Sequence, residues 1–325
     1  MPKKTVLVTG CAGFIGSNLC DFLLRKDYKV VGIDNFNNYY SPKVKEFNIS
    51  SFSDNPNFKL YRESICNKKA LENIFKENSI DYVVHLAAWA GVTYSVKNPD
   101  IYVDVNVQGT NYLAQMSVKY KVSSFIFASS SSVYGDALPP FKEDLDTSHP
   151  SAPYPASKKA GEVLLYSYHL NFSLPVTIFR FFNPLGPRLR PDMALPKLIR
   201  ASLYNETFYL YQDPSSSARD YTYIEAMLGA IEAVFTKPSS YEIFNLGNSN
   251  PVSLTDLIKE VEKITKNKIK LEENYLPGQM KETFADITKA KSKIGYSPKK
   301  TLSEMVNIYY NWFLKQPDWY KKGDF

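Results

Sequence analysis

A tyrosine and a lysine four positions apart open the segment Tyr154-Pro155-Ala156-Ser157-Lys158, which continues in helical apolar periodicity from Ala160 to Leu170. On a helix that spacing puts phenol and ammonium on one face. A phenol of ordinary pKa, ~10, is no base at neutral pH, but adjacent positive charge favours its phenolate. Spacing alone is weak. With 24 Tyr, and 32 Lys once the seven Arg are taken from 39 Lys+Arg, three such pairs occur: Tyr39/Lys43, Tyr154/Lys158 and Tyr296/Lys300. The first and third enclose Ser-Pro in turn-like surroundings and read as accidental. Only the second starts a helix, with Pro155 tolerated in the first turn. The plainer alternative is a buried tyrosine beside a surface lysine.

Upstream, Phe125 to Gly135 reads as a buried strand that ends in four hydroxyls, Ser129 to Ser132. Ligands of open α/β sheets sit at the carboxyl ends of strands, which places these hydroxyls to touch a substrate. A serine run also suits an ordinary polar loop. Nearer the start, Lys4 to Gly16 reads as strand, glycine turn and helix start, with Gly10, Gly13 and Gly16 three apart. Gly10 permits the tight turn, Gly13 lets backbone approach a pyrophosphate, and Gly16 permits close helix packing, while the helix N-terminus attracts phosphate. Taken alone, the turn could equally bind nothing. The next strand ends at Asp34, where a carboxylate can accept hydrogen bonds from ribose hydroxyls and would repel a 2′-phosphate. The expected cofactor is therefore NAD rather than NADP, and an oxidised nicotinamide would add positive charge beside Tyr154.

The elements that must position these groups recur as strand-length apolar runs: Thr5 to Thr9, Lys29 to Asp34, Phe58 to Arg62, Tyr82 to Ala87, Ser124 to Ser129 and Pro175 to Phe181. Continuous apolar runs separated by helix-length segments predict a doubly wound, Rossmann-type parallel sheet. The longest breaks fall at about 35–57 and 135–153. After residue 183 the pattern predicts a helix near 196–204, a strand at 208–211, a helix at 223–235 and a strand at 242–246. Ser253/Asp256 and Thr301/Glu304 mark two further helix starts as capping boxes. The expected organisation is an α/β NAD-binding domain over 1–182, with about 221–248 returning to it, and a smaller C-terminal α/β lobe over 183–220 and 249–325 that covers a ligand.

Composition excludes several classes. The 325 residues carry 39 Lys+Arg against 33 Asp+Glu and are 44% hydrophobic, an ordinary globular balance. Lysines between 259 and 300 are interleaved with Glu260, Glu262, Glu272, Glu273, Glu282 and Asp286, so a solvated face is expected and no nucleic acid. No stretch approaches ~18 uninterrupted apolar residues, so no membrane span is expected. Cys11, Cys20 and Cys66, an odd set with no secretory signal, predict a reducing, cytoplasmic setting. The three histidines show no metal-ligand spacing with Cys, and His85, on a buried strand, reads as a satisfied core residue. Helices near 100–119 and 154–170 carry enough apolar surface to pair with their copies, which predicts a homodimer.

Taken together, Gly10-x-x-Gly13-x-x-Gly16, Asp34, His85-Leu86-Ala87-Ala88, Asn106, the serine run before Val133-Tyr134-Gly135, Tyr154-x-x-x-Lys158, Arg180-Phe181-Phe182-Asn183 and Arg219-Asp220-Tyr221 resemble the extended short-chain dehydrogenase/reductase family over nearly the whole chain. Within it, Asp34-Asn35-Phe36-Asn37-Asn38-Tyr39-Tyr40, Ala87-Ala88-x-Ala90-Gly91-Val92 and Gly186-Pro187-x-x-Arg190-Pro191-Asp192-Met193-Ala194 look most like the UDP-glucuronate 4-epimerases.

The resemblance implies a UDP-sugar substrate, with Tyr154 removing the 4-hydroxyl proton while the C4 hydride passes to NAD. Lys158 would hold the nicotinamide ribose and lower the phenol pKa, and Ser130 would bond the same sugar oxygen. The 4-keto sugar would turn over and recover the hydride. It further implies that Phe14, Ile15, Asn35, Asn38, Ser64, Ile65, Leu86, Ala87, Ala88 and Asn106 contact the cofactor. Asn183 and Arg219 would contact the diphosphate. Tyr211 would lie against uracil, unless it is one more core aromatic. Arg190 would grip a uronate carboxylate and block decarboxylation of the β-keto acid. The chain departs from the pattern with Ser64 for Asp, Trp89 for Gln, Thr93 for Arg, Asn183 for Thr and Gln279 for Asp. Open alternatives are a UDP-glucose or UDP-N-acetylglucosamine 4-epimerase, a UDP-glucuronate decarboxylase, and, in another class, a non-catalytic NAD-sensing protein.

Overall fold

The computed structural model describes residues 3–236, 240–274 and 282–323. Seven parallel strands form its central sheet: β1 (Thr5–Thr9), β2 (Lys29–Ile33), β3 (Phe58–Tyr61), β4 (Tyr82–His85), β5 (Ser124–Ser130), β6 (Val176–Phe181) and, from much later in the chain, Tyr241–Leu246. In space the first six run β6-β5-β4-β1-β2-β3, and the late strand adds to the β6 edge. The doubly wound sheet expected from the apolar runs is therefore present. Its order reverses between β1 and β4, where open α/β sheets bind their ligands.

Period-2 geometry explains why these runs are apolar throughout. Val6 and Val8 of β1 and Ile126 of β5 join one buried cluster, while Leu7, Phe125 and Phe127 join another on the opposite face. Both faces are roofed by helices, so neither can be polar. Complete burial of a side chain such as Leu7 stabilises by roughly 1.5–3 kcal/mol.

The helices that matter for the site are α1 (Phe14–Arg25), α2 (Pro42–Ile49), α3 (Lys68–Glu77), α4 (Val92–Lys97), α5 (Pro99–Tyr102), α6 (Gly109–Lys119) and α7 (Pro153–Phe172). The run at 35–57, read from sequence only as a break, contains α2. Its start was legible: Ser41 caps it by accepting the Lys43 N–H, and Pro42 occupies the first turn. Between α5 and α6 the chain makes a π-helical turn, Val103–Gln108, a feature frequent at functional sites.

Outside the main sheet lie β7 (Asn183–Leu185), β8 (Thr207–Leu210), β9 (Ala218–Tyr223), β11 (Pro251–Ser253), β12 (Lys270–Glu273) and β13 (Glu282–Thr283), the late strand of the main sheet being β10. Strand β9 pairs with β7, β11 and β13, and β8 with β12. Asp220 of β9 ties these segments together by accepting N–H bonds from Asn248, Ser249 and Ala285. The helices expected at 196–204 and 223–235 are Ala194–Tyr204 and Ile224–Thr236. Thr301 and Glu304 form a complete capping box, and Ser253 caps its helix through the Asp256 N–H.

Candidate active site

A cavity of about 540 Å³ runs along the carboxyl ends of the central strands and is also lined by Asn183 of β7, Arg219 of β9 and Thr283 of β13. Of the residues singled out from sequence, its wall takes Gly10, Gly13, Phe14, Ile15 and Gly16 from the first turn. Asp34 and Asn35 follow β2, Ser64 and Ile65 follow β3, and Leu86, Ala87 and Ala88 follow β4. Ser130, Tyr154, Lys158, Asn183, Arg190 and Arg219 complete it.

Three others fall elsewhere. Asn38 is exposed, and Asn37 takes the place in the wall because the chain turns through a positive φ of 49° at Phe36. Tyr211, just past β8, is 45% exposed and outside the lining formed by the described residues, so it is no core aromatic. Asn106 is buried behind the wall. Its Nδ2 donates to Trp89 O and Ser157 Oγ, both at 2.9 Å, and its Oδ1 accepts the Trp89 N–H at 2.9 Å. It holds the loop after β4 against the start of α7 rather than lining the cavity. Gln279 lies outside the described residues.

The glycine turn suits a dinucleotide. Gly10 has a φ of 70°, and a Cβ there would lie 2.9 Å from the Ala87 backbone. A Cβ at Gly16 would stand 2.0 Å from Gly10 O, so only glycine lets α1 seat on the turn. Gly13 precedes α1 with no side-chain cap, leaving helix N-terminal N–H groups for an anion. Asp34 accepts N–H bonds from Ala12 at 3.1 Å and Phe36 at 2.9 Å. Burial raises its pKa, while Lys45 and those N–H groups pull it down. Further carboxylate lone pairs remain for ribose hydroxyls. These residues fit NAD.

Around the phenol, the four serines divide their work. Ser129 Oγ points back to Glu162 Oε1 at 2.6 Å, and Glu162 is locked to Arg180 at 2.8 Å in a buried ion pair. Ser130, which lines the cavity together with Tyr154, accepts the Ser132 N–H at 3.2 Å and its hydroxyl at 2.9 Å. Burial raises the Tyr154 pKa, and the nearby Ser130 hydroxyl and the Arg190 charge oppose that rise. The cation bearing on the phenol is thus Arg190, which spacing did not reveal. The Lys158 ammonium instead donates to Ala128 O at 2.7 Å and lies 5.0 Å over the Phe127 ring. Burial lowers its pKa to about 7, against the pull of Glu162.

Arg190 binds Asp192 in bidentate fashion, Nε–Oδ1 at 3.0 Å and Nη2–Oδ2 at 2.9 Å, and lies 5.2 Å over the Tyr39 ring. Tyr39 in turn meets Trp89 and Tyr94 edge-on. The Tyr39/Lys43 pair is no catalytic couple, since Lys43 rests over Trp319, yet Tyr39 itself lines the cavity. Tyr296 is buried and donates to Gly247 O. His85 bonds Thr9 and Thr110 in the core, where burial lowers its pKa to about 3.

This fold recurs in known proteins. The chain is 39% identical over 309 residues to the UDP-glucuronate 4-epimerase of Thermodesulfobacterium geofontis, covering 94% of this chain and 95% of that one. Its structure resembles that of UDP-glucuronic acid 4-epimerase from Bacillus cereus in complex with UDP-glucuronic acid and NAD. That likeness has a TM-score of 0.89 at 37% identity and covers 95% and 98% of the two chains. UDP-glucose 4-epimerase from Thermotoga maritima with UDP-glucose gives 0.87 at 30% identity, over 96% and 99%. Residues 7–309 match the family described as GDP-mannose 4,6 dehydratase, and the chain belongs to that branch of the extended short-chain dehydrogenase/reductases.

Proposed function

We propose that this chain is an NAD-dependent epimerase that inverts C4 of a UDP-sugar, UDP-glucuronate foremost, through a transient 4-keto sugar. The observation that carries the reading is the Tyr154 phenol, which shares with Ser130 the cavity that also contains the glycine turn and Asp34. Bound NAD+ supplies a two-electron acceptor that is regenerated in each cycle. Tyr154 takes the proton of the 4-hydroxyl and returns it, Ser130 orients that oxygen, and Lys158 holds the nicotinamide ribose. Asn183 and Arg219 meet the diphosphate, where guanidinium suits phosphate oxygens.

A 4-keto uronate is a β-keto acid and loses carbon dioxide when its carboxyl bond aligns with the carbonyl π system. Arg190 would hold that carboxylate out of alignment. A second reading, epimerisation of a neutral UDP-hexose, is favoured by one observation: the Arg190 fork is already engaged by Asp192. Incubation with UDP-glucuronate and with UDP-glucose, followed by sugar analysis, separates the two. UDP-galacturonate is expected from the first. With Arg190→Ala, a pentose product or loss of uronate turnover is expected, and unchanged epimerisation would remove Arg190 from the site. Tight NAD binding with no turnover of any UDP-sugar would instead make the chain a sensor.

The assembly we propose is a homodimer through α5, α6 and α7. Val163, Tyr166 and Leu170 stand exposed at helical spacing on α7, and Val103 is exposed in the adjoining π turn. Buried free thiols at Cys11 and Cys20 suit the reducing cytoplasm.

A further inference from the structure

The loop and helix that follow Asp34 carry polar groups that the proposed reaction does not use. Among the described residues the Tyr40 hydroxyl is buried with no hydrogen-bond partner, although burying such a group unpaired costs about 1–3 kcal/mol. It faces the glycine turn: a Cβ built on Gly13 would lie 4.0 Å from it. Lys45, 4% exposed, lies 4.9 Å over the Tyr40 ring and forms part of the same cavity wall. Its ammonium donates to Asn37 O at 2.7 Å and Asn37 Oδ1 at 2.8 Å, which accounts for two of its three protons. Asn48, one turn further along α2, donates to Ala12 O at 3.0 Å and so fastens α2 to the glycine turn.

A pyrophosphate bears two negative charges, whereas the glycine turn offers only N–H dipoles. Asp34 adds a further negative charge beside it. The other cations in the wall, Lys158, Arg190 and Arg219, belong to the phenol and to β9. Lys45 is the cation that α2 brings beside Asp34, whose carboxylate accepts the Ala12 N–H of the turn. An ammonium placed there balances charge, and an unpartnered phenol placed there awaits an acceptor.

We propose that Tyr40 and Lys45 bind the dinucleotide pyrophosphate, the tyrosine as a hydrogen-bond donor and the lysine as its counter-charge. The proposal rests on the NAD reading given above. It makes α2 a strap whose fit on the glycine turn governs cofactor retention. Because Tyr39 and Tyr40 are adjacent, the turn leading into α2 also carries the ring beneath Arg190.

The test measures dissociation constants for ADP-ribose and for adenosine, with thermal melts, on cofactor-stripped wild type, Tyr40→Phe and Lys45→Met. Tyr40→Phe removes a hydroxyl without a partner, so the ligand-free melting temperature should hold or rise. ADP-ribose binding should weaken ~10-fold, the scale of a lost hydrogen bond to a charged group. Lys45→Met should weaken it at least as much and flatten its dependence on salt. Adenosine, which lacks the pyrophosphate, should bind wild type and Tyr40→Phe alike. Unchanged ADP-ribose affinity in Tyr40→Phe overturns the proposal, as does an equal loss for adenosine. If Lys45→Met does not fold, Tyr40→Phe decides. Failure of wild type to bind ADP-ribose would defeat the NAD reading itself.

Discussion

Asn106 and Ser157 are joined by a 2.9 Å hydrogen bond, and the Ser157 hydroxyl passes a further bond of 2.8 Å to the Tyr154 carbonyl. The phenol is therefore placed by a residue that never reaches the cavity. Asn106→Asp can still accept the Trp89 N–H but can donate to neither Trp89 O nor Ser157. We expect a loss of about 1–3 kcal/mol per buried group left unpaired. Turnover should fall by up to ~100-fold through misplacement of Tyr154, with KM moving less. Melting temperature and steady-state kinetics check this, and unchanged kcat would show that α7 needs no such support.

Lys158 gives the ligand-free protein a pH signature. Its ammonium has an ordinary pKa of 10.5 and a folded one of about 7. Between those values the unfolded chain holds a proton that the folded chain has lost, so this group makes stability rise with pH across that window. Its burial cost is complete below pH 7. Lys158→Met should therefore gain most over wild type near pH 6, and the gain should shrink toward pH 10. Paired thermal melts across that range read it, and a gap independent of pH would contradict the assigned ionisation.

Gly16→Ala places a methyl group 2.0 Å from Gly10 O, and backbone must move to admit it. The turn and α1 are both rigidly paired, Gly10 N to Ile33 O at 2.7 Å. We expect destabilisation of about 1–3 kcal/mol, as for other overpacked sites, together with loss of NAD from the purified protein. Cofactor content by absorbance after denaturation would show it, and full retention would mean that the turn can relax.

The outward face of α7 supplies a prediction about assembly. Val163 is 58% and Leu170 61% exposed, seven residues apart and two helical turns along one face. A Val163→Asp, Leu170→Asp double variant should run as a monomer at micromolar concentration while wild type runs as a dimer. Light scattering coupled to size exclusion decides it. A monomeric wild type would end the dimer proposal.

The parallel sheet was readable because β-strands buried on both faces must be apolar at consecutive positions, and no other common arrangement demands that of six short runs. The glycine turn and Asp34 were readable for a related reason. Backbone that must adopt a positive φ, or approach within van der Waals distance of Gly10 O, tolerates little besides glycine. Capping boxes at Ser253 and Thr301 are likewise local chemistry, written within four residues.

Tertiary packing decided the rest. Four adjacent serines are equivalent on paper, yet strand pleat turns Ser129 toward Glu162 and Ser130 toward Tyr154. Arg190, 36 residues from Tyr154 in the chain, supplies the charge that its helical neighbour Lys158 directs elsewhere. Tyr40 and Lys45 gained their place only when Asn48 fastened α2 to the first turn. Local sequence thus fixed which backbone shapes and charges this protein could have. Which of them meet across the cavity was settled by long-range contacts, because side chains distant in sequence become neighbours only once both faces of the sheet are buried.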